Sequence, residues 1–238
     1  SDVYKRQDNT EKVILDYMKG SSLANNLTIR YADNVFETKA NNIGLKEAIG
    51  KYVIIVQDDM VINEEGWNER LRKPFKAFDD VFAVTARTAH NYVFNPNSPY
   101  IGMKEDIDTD WCNIVEPCDI AEQRNLSRDI FAVRGTVNRG PLMINLEDLK
   151  ELNYFDEAFS PQDMDDHDLM FRMRKKLGKV CGCYWIDFVS DPSWGGTRKT
   201  GQTAPWLYKA QHKNCKIFYE RNADVLEEYR IIENRDLP

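Results

Sequence analysis

The chain has 238 residues, and 39 acidic against 32 basic side chains give a formal charge of −7. That balance excludes the basic surface with which nucleic-acid binders meet phosphates. Apolar residues at 42% and charged ones at 30% exclude a disordered chain or a fibre, and the length is enough for a core without disulfide staples.

Asp8, Asn9 and Thr10 offer N-caps for a helix over 11–19, which Gly20 ends. Residues 27–32 read as a strand. A second helix covers 38–49, with Ala40, Ile43 and Ala48 along it and Gly50 as its stop. Tyr52-Val53-Ile54-Ile55-Val56 is a continuous β-rich run, the pattern of a strand covered on both faces. A helix over 67–78 tolerates Pro74, and 81–85 is another strand. This alternation predicts an α/β fold with a doubly wound, mostly parallel sheet. From 89 to 128 the pattern dissolves into Asn, Pro, Asp and Ser, as in a functional or mobile loop region. Strands return at 130–137 and 141–145. A short helix over 147–152 and a clear one over 165–177, closed by Gly178, precede a strand-like run over 180–189. A Gly-rich, partly basic loop fills 190–203, and a helical tail starts near 204. No repeat or linker interrupts the chain, which reads as one domain with an irregular middle.

No run approaches the roughly 18–20 apolar residues of a membrane span, and no basic start leads into an apolar signal core. Cys112, Cys118, Cys181, Cys183 and Cys215 are odd in number and irregular in spacing, which points to a reducing compartment and a cytoplasmic location. His90, His167 and His212 lack the spacing of a zinc site. No nucleophile elbow, P-loop or dinucleotide fingerprint is present.

Four stretches carry candidate chemistry. Asp58-Asp59 follows directly on an apolar strand, where open α/β sheets place their ligands. Adjacent carboxylates repel unless neutralised, and a hard Mg2+ or Mn2+ ion with phosphate oxygens suits them; a solvated turn capped by Asp59 is the bland alternative. In Asp163-Met164-Asp165-Asp166-His167-Asp168-Leu169, Asp166 shares the apolar face of Leu169 and Met170, as an inward general base would. Asp165 reads as a cap and Asp168 as an outward partner for Arg172, while acids in a first helical turn also serve the macrodipole alone. The cluster also suits a hydroxyl-rich acceptor. Arg139-Gly140-Pro141-Leu142 allows close backbone approach to a ligand, or is a plain turn between strands. Trp194-Gly195-Gly196-Thr197-Arg198-Lys199 sets two cations beside flexible glycines, as over a pyrophosphate, or forms a solvated loop. Trp111, Trp185, Trp194 and Trp206 are candidates to stack on sugars, with core packing as their plainer role.

Four pieces in this order resemble the family 2 glycosyltransferases, inverting enzymes of the GT-A fold. They are Ala40-Asn41-Asn42-Ile43-Gly44-Leu45 with Gly50-Lys51-Tyr52; Val56-Gln57-Asp58-Asp59; Gly140-Pro141-Leu142-Met143-Ile144; and Phe155-Asp156-Glu157 with Asp165-Asp166-His167-Asp168-Leu169 and Arg172. The set covers residues 8 to about 188. The resemblance implies a Rossmann-like nucleotide-diphospho-sugar transferase fold. Asp58 and Asp59 would hold Mn2+ or Mg2+ on the diphosphate of a UDP- or GDP-sugar, with Arg198 and Lys199 beside it and Asp191 as a third ligand in place of the usual His. Asp166 would deprotonate a glycan or lipid-linked acceptor that Gly140, Asp165, His167 and Trp194 help to bind. A lipid-linked acceptor would bring the protein to the inner face of the membrane. The resemblance also implies that the family's first two strands, between 27–32 and 52–56 in the sheet, are missing; residues 1–7 fit neither strand, resemble a translated adaptor, and read as a non-native leader. Residues 8–88 would form the nucleotide and metal half, 89–203 the acceptor half, and 204–238 the helical tail. The alternatives are a non-catalytic sugar-binding relative and a nucleotidyltransferase; scattered histidines disfavour a metal-dependent hydrolase.

Overall fold

A computed structural model describes residues 9–22, 26–33, 35–95, 97, 115–190 and 205–237. The chain divides into two compact units, residues 1–35 and 36–238. In the first, helix α1 (Thr10–Gly20) forms as expected, although Asn9 at its N-cap makes no side-chain capping bond. Tyr31 donates to Glu11 Oε1 at 2.7 Å. Residues 27–32, expected as a strand, join no sheet. The physical reason is the lack of a burial face: Leu27 is 41% and Tyr31 71% exposed.

The second unit runs α2 (Phe36–Glu47), β1 (Tyr52–Ile55), β2 (Met60–Ile62), α3 (Trp67–Leu71), α4 (Lys73–Ala77), β3 (Val81–Thr85), β4 (Thr88–Phe94) and β5 (Val115–Glu122). It continues with β6 (Ile130–Arg134), β7 (Thr136–Val137), β8 (Leu142–Asn145), α5 (Leu146–Glu151), α6 (Asp165–Leu177), β9 (Val180–Tyr184), β10 (Phe188–Ser190), α7 (Pro205–Asn222) and β11 (Glu233–Asp236). The main sheet has the order β1-β8-β3-β9-β6-β11. Strands β1, β3, β9 and β11 run one way, while β8 and β6 are reversed and lie between them, so among the described residues the sheet is mixed, with β3–β9 its parallel pair, and not mostly parallel as the strand–helix alternation suggested.

Period-two alternation explains how both faces are covered. Leu142 and Ile144 of β8 and Cys181 and Cys183 of β9 face one core with Leu45 of α2, Leu149 of α5 and Leu169, Met170 and Met173 of α6. Met143, Val180 and Tyr184 face the other, with Leu71 of α3 and the half-buried Trp67, Phe75 and Phe78. In a dry core the Cys181 thiol is pushed up to about 12, which makes it inert packing.

Five expectations need correction. The buried side of α2 is Thr38, Asn42 and Leu45, with Ala40 exposed and Ile43 half-buried, because a polar clamp by Asn42 described below sets its face. Residues 52–56 are not fully covered: Tyr52 to Ile54 are half-buried and Val56 is 45% exposed, since β1 ends the sheet and pairs with β8 alone among the described residues. The helix expected over 67–78 breaks at Arg72, because Pro74 lacks an N–H donor and sits in the first turn of α4. Within the irregular middle, β4 and β5 pair antiparallel from Thr88↔Glu122 to Phe94↔Val115, with a register shift between Ala89 and Asn91. The tail likewise ends in a strand, β11, which closes the sheet against β6.

The shift at Asn91 is used structurally. Asn91 Oδ1 accepts from Gly135 N at 2.7 Å and Ile231 N at 3.0 Å, and its Nδ2 donates to Ile231 O at 2.8 Å. Gly135 separates β6 from β7 here, and a Cβ on it would lie 2.7 Å from Tyr229 O. The chain thereby leaves the main sheet and pairs with β4, which aims residues 138–141 at the C-terminal end of β1.

Candidate active site

The turn after β1 holds Asp58 exposed and Asp59 buried, at 7% exposure. Its position is set by Gly140. At φ +91° this residue presses bare backbone against the turn, and a Cβ there would lie 2.1 Å from Met60 Cε and 2.8 Å from Gln57 Oε1. Gln57 in turn donates from Nε2 to Glu37 Oε1 at 2.9 Å, tying the turn to the first turn of α2. The Asp58-Asp59 turn and Gly140, distant in sequence, are thus neighbours.

Arg139 is the hub on the other side. Its buried guanidinium meets Asp165 Oδ2 through Nη1 at 2.5 Å, Glu37 Oε1 through Nε at 3.3 Å and Asp166 Oδ2 at 3.8 Å. Its backbone N–H donates to Asp166 Oδ2 at 3.1 Å, while Oδ1 accepts from His167 N at 3.0 Å. Burial alone would raise the Asp166 pKa, but His167, Arg139 and those two N–H donors hold it below the ordinary carboxylate range. Glu37 is shifted the other way: burial raises it, Arg139 opposes, and Asp165 and Asp166 add repulsion. The sequence expectation of one inward acid is corrected here, since Asp165, Asp166 and Asp168 are all buried. Asp165 does not cap. Met164, in the left-handed region at φ 65°, takes the N-cap position of α6, and Asp165 pairs with Arg139.

His167 is also buried. Its Nδ1 lies 3.0 Å from Tyr92 Oη of β4 and its Nε2 3.2 Å from Asn138 Oδ1. The imidazole of His90 packs edge-on to it, with centroids 5.0 Å apart. Burial, then His167, lowers the His90 pKa to about 3. The native state therefore resists protonation that the unfolded chain accepts below its ordinary value near 6.5. Stability from His90 is full above that pH and is lost on the way down to about 3. By about pH 5 the loss should be roughly 2 kcal/mol, and His90→Gln should flatten that part of a plot of melting temperature against pH.

Two further clamps hold α6. Asp168 accepts from Arg172 Nε at 2.7 Å and from Arg221 Nη1 at 3.2 Å, so the expected i, i+4 pair forms, but on a buried side and not an outer one. Arg172 also donates to Leu152 O and Tyr154 O, and Arg221 to Asp156 Oδ2. Asn42 of α2 donates to Phe155 O and Glu157 Oε1 and accepts from Phe155 N. The Asn-bearing helix and the Phe155-Asp156-Glu157 segment are therefore in contact.

Asp191, Trp194, Arg198 and Lys199 lie outside the described residues, as does Trp111. Half-buried Trp185 is covered by the Arg128 guanidinium, 4.3 Å from its ring. Among the described residues no group of three or more His, Cys, Asp or Glu is arranged to hold a metal ion. The donor chemistry of Asp58 and Asp59 nevertheless fits a hard divalent ion, which takes one or two carboxylates and fills its shell with phosphate oxygens and water. Glu37, Gln57, Tyr92 and Asn138 were not legible as site residues. Each is a polar side chain on an element of no unusual spacing, and only the tertiary fold gives it a partner.

A family model described as "Glycosyl transferase family 2" matches residues 5–135. No curated protein matches the chain. Among solved structures, GalNAc-T7 with UDP, GalNAc and Mn2+ is similar, with a TM-score of 0.53 at 14% identity. The match covers 96% of this chain and 51% of that one, so the chain spans about half the length of this relative and shares its GT-A fold.

Proposed function

This chain belongs to glycosyl transferase family 2, and from that membership we propose that it moves a sugar from a UDP- or GDP-linked donor to a hydroxyl of a glycan or lipid-linked acceptor, with inversion. One observation carries the reading: the Asp58-Asp59 turn and the Asp166 carboxylate are joined through Gln57, Glu37 and Arg139. That GalNAc-T7 binds UDP and Mn2+ supports a nucleotide diphosphate and a divalent ion here. We place the reaction in the cytoplasm, with peripheral membrane contact through the acceptor; among the described residues no helix is long and apolar enough to cross a membrane.

In this mechanism Asp166 takes the proton of the acceptor hydroxyl as that oxygen attacks the anomeric carbon opposite the leaving diphosphate. Its lowered pKa keeps it ionised at neutral pH, so its contribution is position. Two backbone N–H donors fix the plane of the carboxylate and still leave lone pairs for the substrate. Asp58 and Asp59 would hold the divalent ion, which when bound stabilises charge on the leaving diphosphate. Arg198, Lys199 and Asp191 join this proposal as donor-side residues, and Gly140, Asp165, His167 and Trp194 as acceptor-side ones. Asp165 is fully buried against Arg139, and both ring nitrogens of His167 face Tyr92 and Asn138, so these two support that side through those partners.

Calorimetric titration with UDP, then GDP, with and without Mn2+ tests this. Metal-dependent binding is expected, and Asp59→Ala should weaken it by about 10-fold or more, a loss of at least ~1.4 kcal/mol. Unchanged metal dependence in Asp59→Ala would remove the pair from its role. A folded chain that binds neither nucleotide would favour the non-catalytic relative.

A further inference from the structure

A polar contact from the turn after β1 and one from Arg139 meet at a single atom. Glu37 Oε1 accepts from Gln57 Nε2 at 2.9 Å and faces Arg139 Nε at 3.3 Å. Beyond Arg139 stand Asp165 Oδ2 at 2.5 Å and, through the backbone N–H, Asp166 Oδ2 at 3.1 Å. We propose that Gln57, Glu37 and Arg139 form a polar tie that fixes the metal-side turn relative to the base, with Glu37 and Arg139 as positioning residues. This rests on the transferase reading above, and neither residue is required to touch donor or acceptor.

Three features argue that the tie is stiff. Arg139 is 7% exposed, so water screens its ion pairs little. Its fork is held from separate directions, by Glu37 on α2 and by Asp165 on α6, which a flexible single-point cation would not satisfy together. Next to it, Gly140 packs bare backbone on Met60 and Gln57, so side chain and main chain of adjacent residues grip the same turn. The arrangement is also costly, because burial and the neighbouring acids push Glu37 up; a contact kept solely for packing would be served as well by an apolar residue.

A tie of this kind transmits substitutions on the base side to binding on the metal side. Titration of UDP in the presence of Mn2+ reads this directly. Arg139→Lys keeps the charge and loses the fork, and it should weaken UDP binding by about 3- to 10-fold, with Glu37→Ala weakening it to a similar degree. The double variant should be no weaker than the worse single variant, because both cut one chain of contacts. Glu37→Gln retains an oxygen that accepts from both Gln57 and Arg139, and should bind within about 2-fold of wild type. Near-ultraviolet circular dichroism and melting temperature establish that each variant is folded. Should Arg139→Lys not fold, Gln57→Ala replaces it in the same cycle with Glu37→Ala. Wild-type binding from Arg139→Lys, losses that multiply in the double variant, or Glu37→Gln as weak as Glu37→Ala would each overturn the tie. If wild type binds UDP with Mn2+, loses it in Asp59→Ala, and the Glu37 variants are silent, the tie alone fails. A wild-type chain that binds neither UDP nor GDP overturns the transferase reading and the tie with it.

Discussion

Asp166→Asn is expected, under the proposed mechanism, to lower sugar transfer by about 10²- to 10⁴-fold, the range a positioned general base supplies. Metal-dependent nucleotide binding should stay within about 2-fold of wild type, which separates loss of the base from loss of the site. Asn is nearly the same size, so α6 keeps its place and Arg139 retains Asp165 and Glu37 as partners. One mismatch follows, since both carboxylate oxygens accept from N–H donors and an amide offers a single oxygen. That costs on the order of 1 kcal/mol of stability and leaves the chain folded. The acid limb of the wild-type rate is a second readout. Asp166 is held below the ordinary carboxylate value near 3.9, so a limb due to its protonation should lie below that pH. A variant that transfers at the wild-type rate, at any pH, removes Asp166 from the role of base.

What was legible in the sequence was legible because it repeats a local rule. Val81 to Val84 is apolar and, with Thr85, buried throughout; Asp165 to Leu177 carries acids first, bases last and Gly178 at the stop, and is a helix over that span. The Asp58-Asp59 turn was legible because a strand ends there abruptly. The errors lie where tertiary partners override local pattern. Residues 27–32 have strand composition but no ladder to join, while β5 and β11 have polar strand sequences and form because β4 and β6 offer edges. The direction of the acids in α6 failed for a related reason. The pattern made Asp165 a cap and put Asp168 on the outer side, but Arg139 reaches Asp165 from a distant turn and Arg221 reaches Asp168 from a distant helix, and a buried carboxylate is tolerable once so paired. No spacing rule sees a partner of that kind. The motifs of the family were visible in order, yet their reason was not: Asn42 is there to hold residues 155–157, and Gly140 to let the turn of Gln57 and Met60 approach.

The largest effect on stability is expected from Arg139→Ala. Removing one member of a buried ionic cluster costs about 3–5 kcal/mol, against a total of roughly 5–15 kcal/mol for a domain. The cost here does not come from the lost attraction alone. Asp165 is fully buried, with Arg139 Nη1 on Oδ2 and no hydrogen-bond partner on Oδ1 among the described residues, so the variant leaves its charge uncompensated. Glu37 and Asp166 lose the same cation. Glu37, which burial and the neighbouring acids already hold above its ordinary value, loses the cation that opposes them, and so binds more protons folded than unfolded near neutral pH. His90 lowers both proteins alike over this interval, so the sign appears in the difference: the stability lost in Arg139→Ala relative to wild type should shrink as pH falls from about 7 towards 5. Urea midpoints at the two pH values test this without reference to activity. Adding Asp165→Asn to Arg139→Ala should recover part of the loss near neutral pH and flatten the dependence, because it neutralises the most deeply buried of the stranded acids. A variant whose stability falls with pH just as the wild type's does would mean that Arg139 is not what makes these buried carboxylates tolerable, and the electrostatic account of the site would have to be rebuilt around another cation.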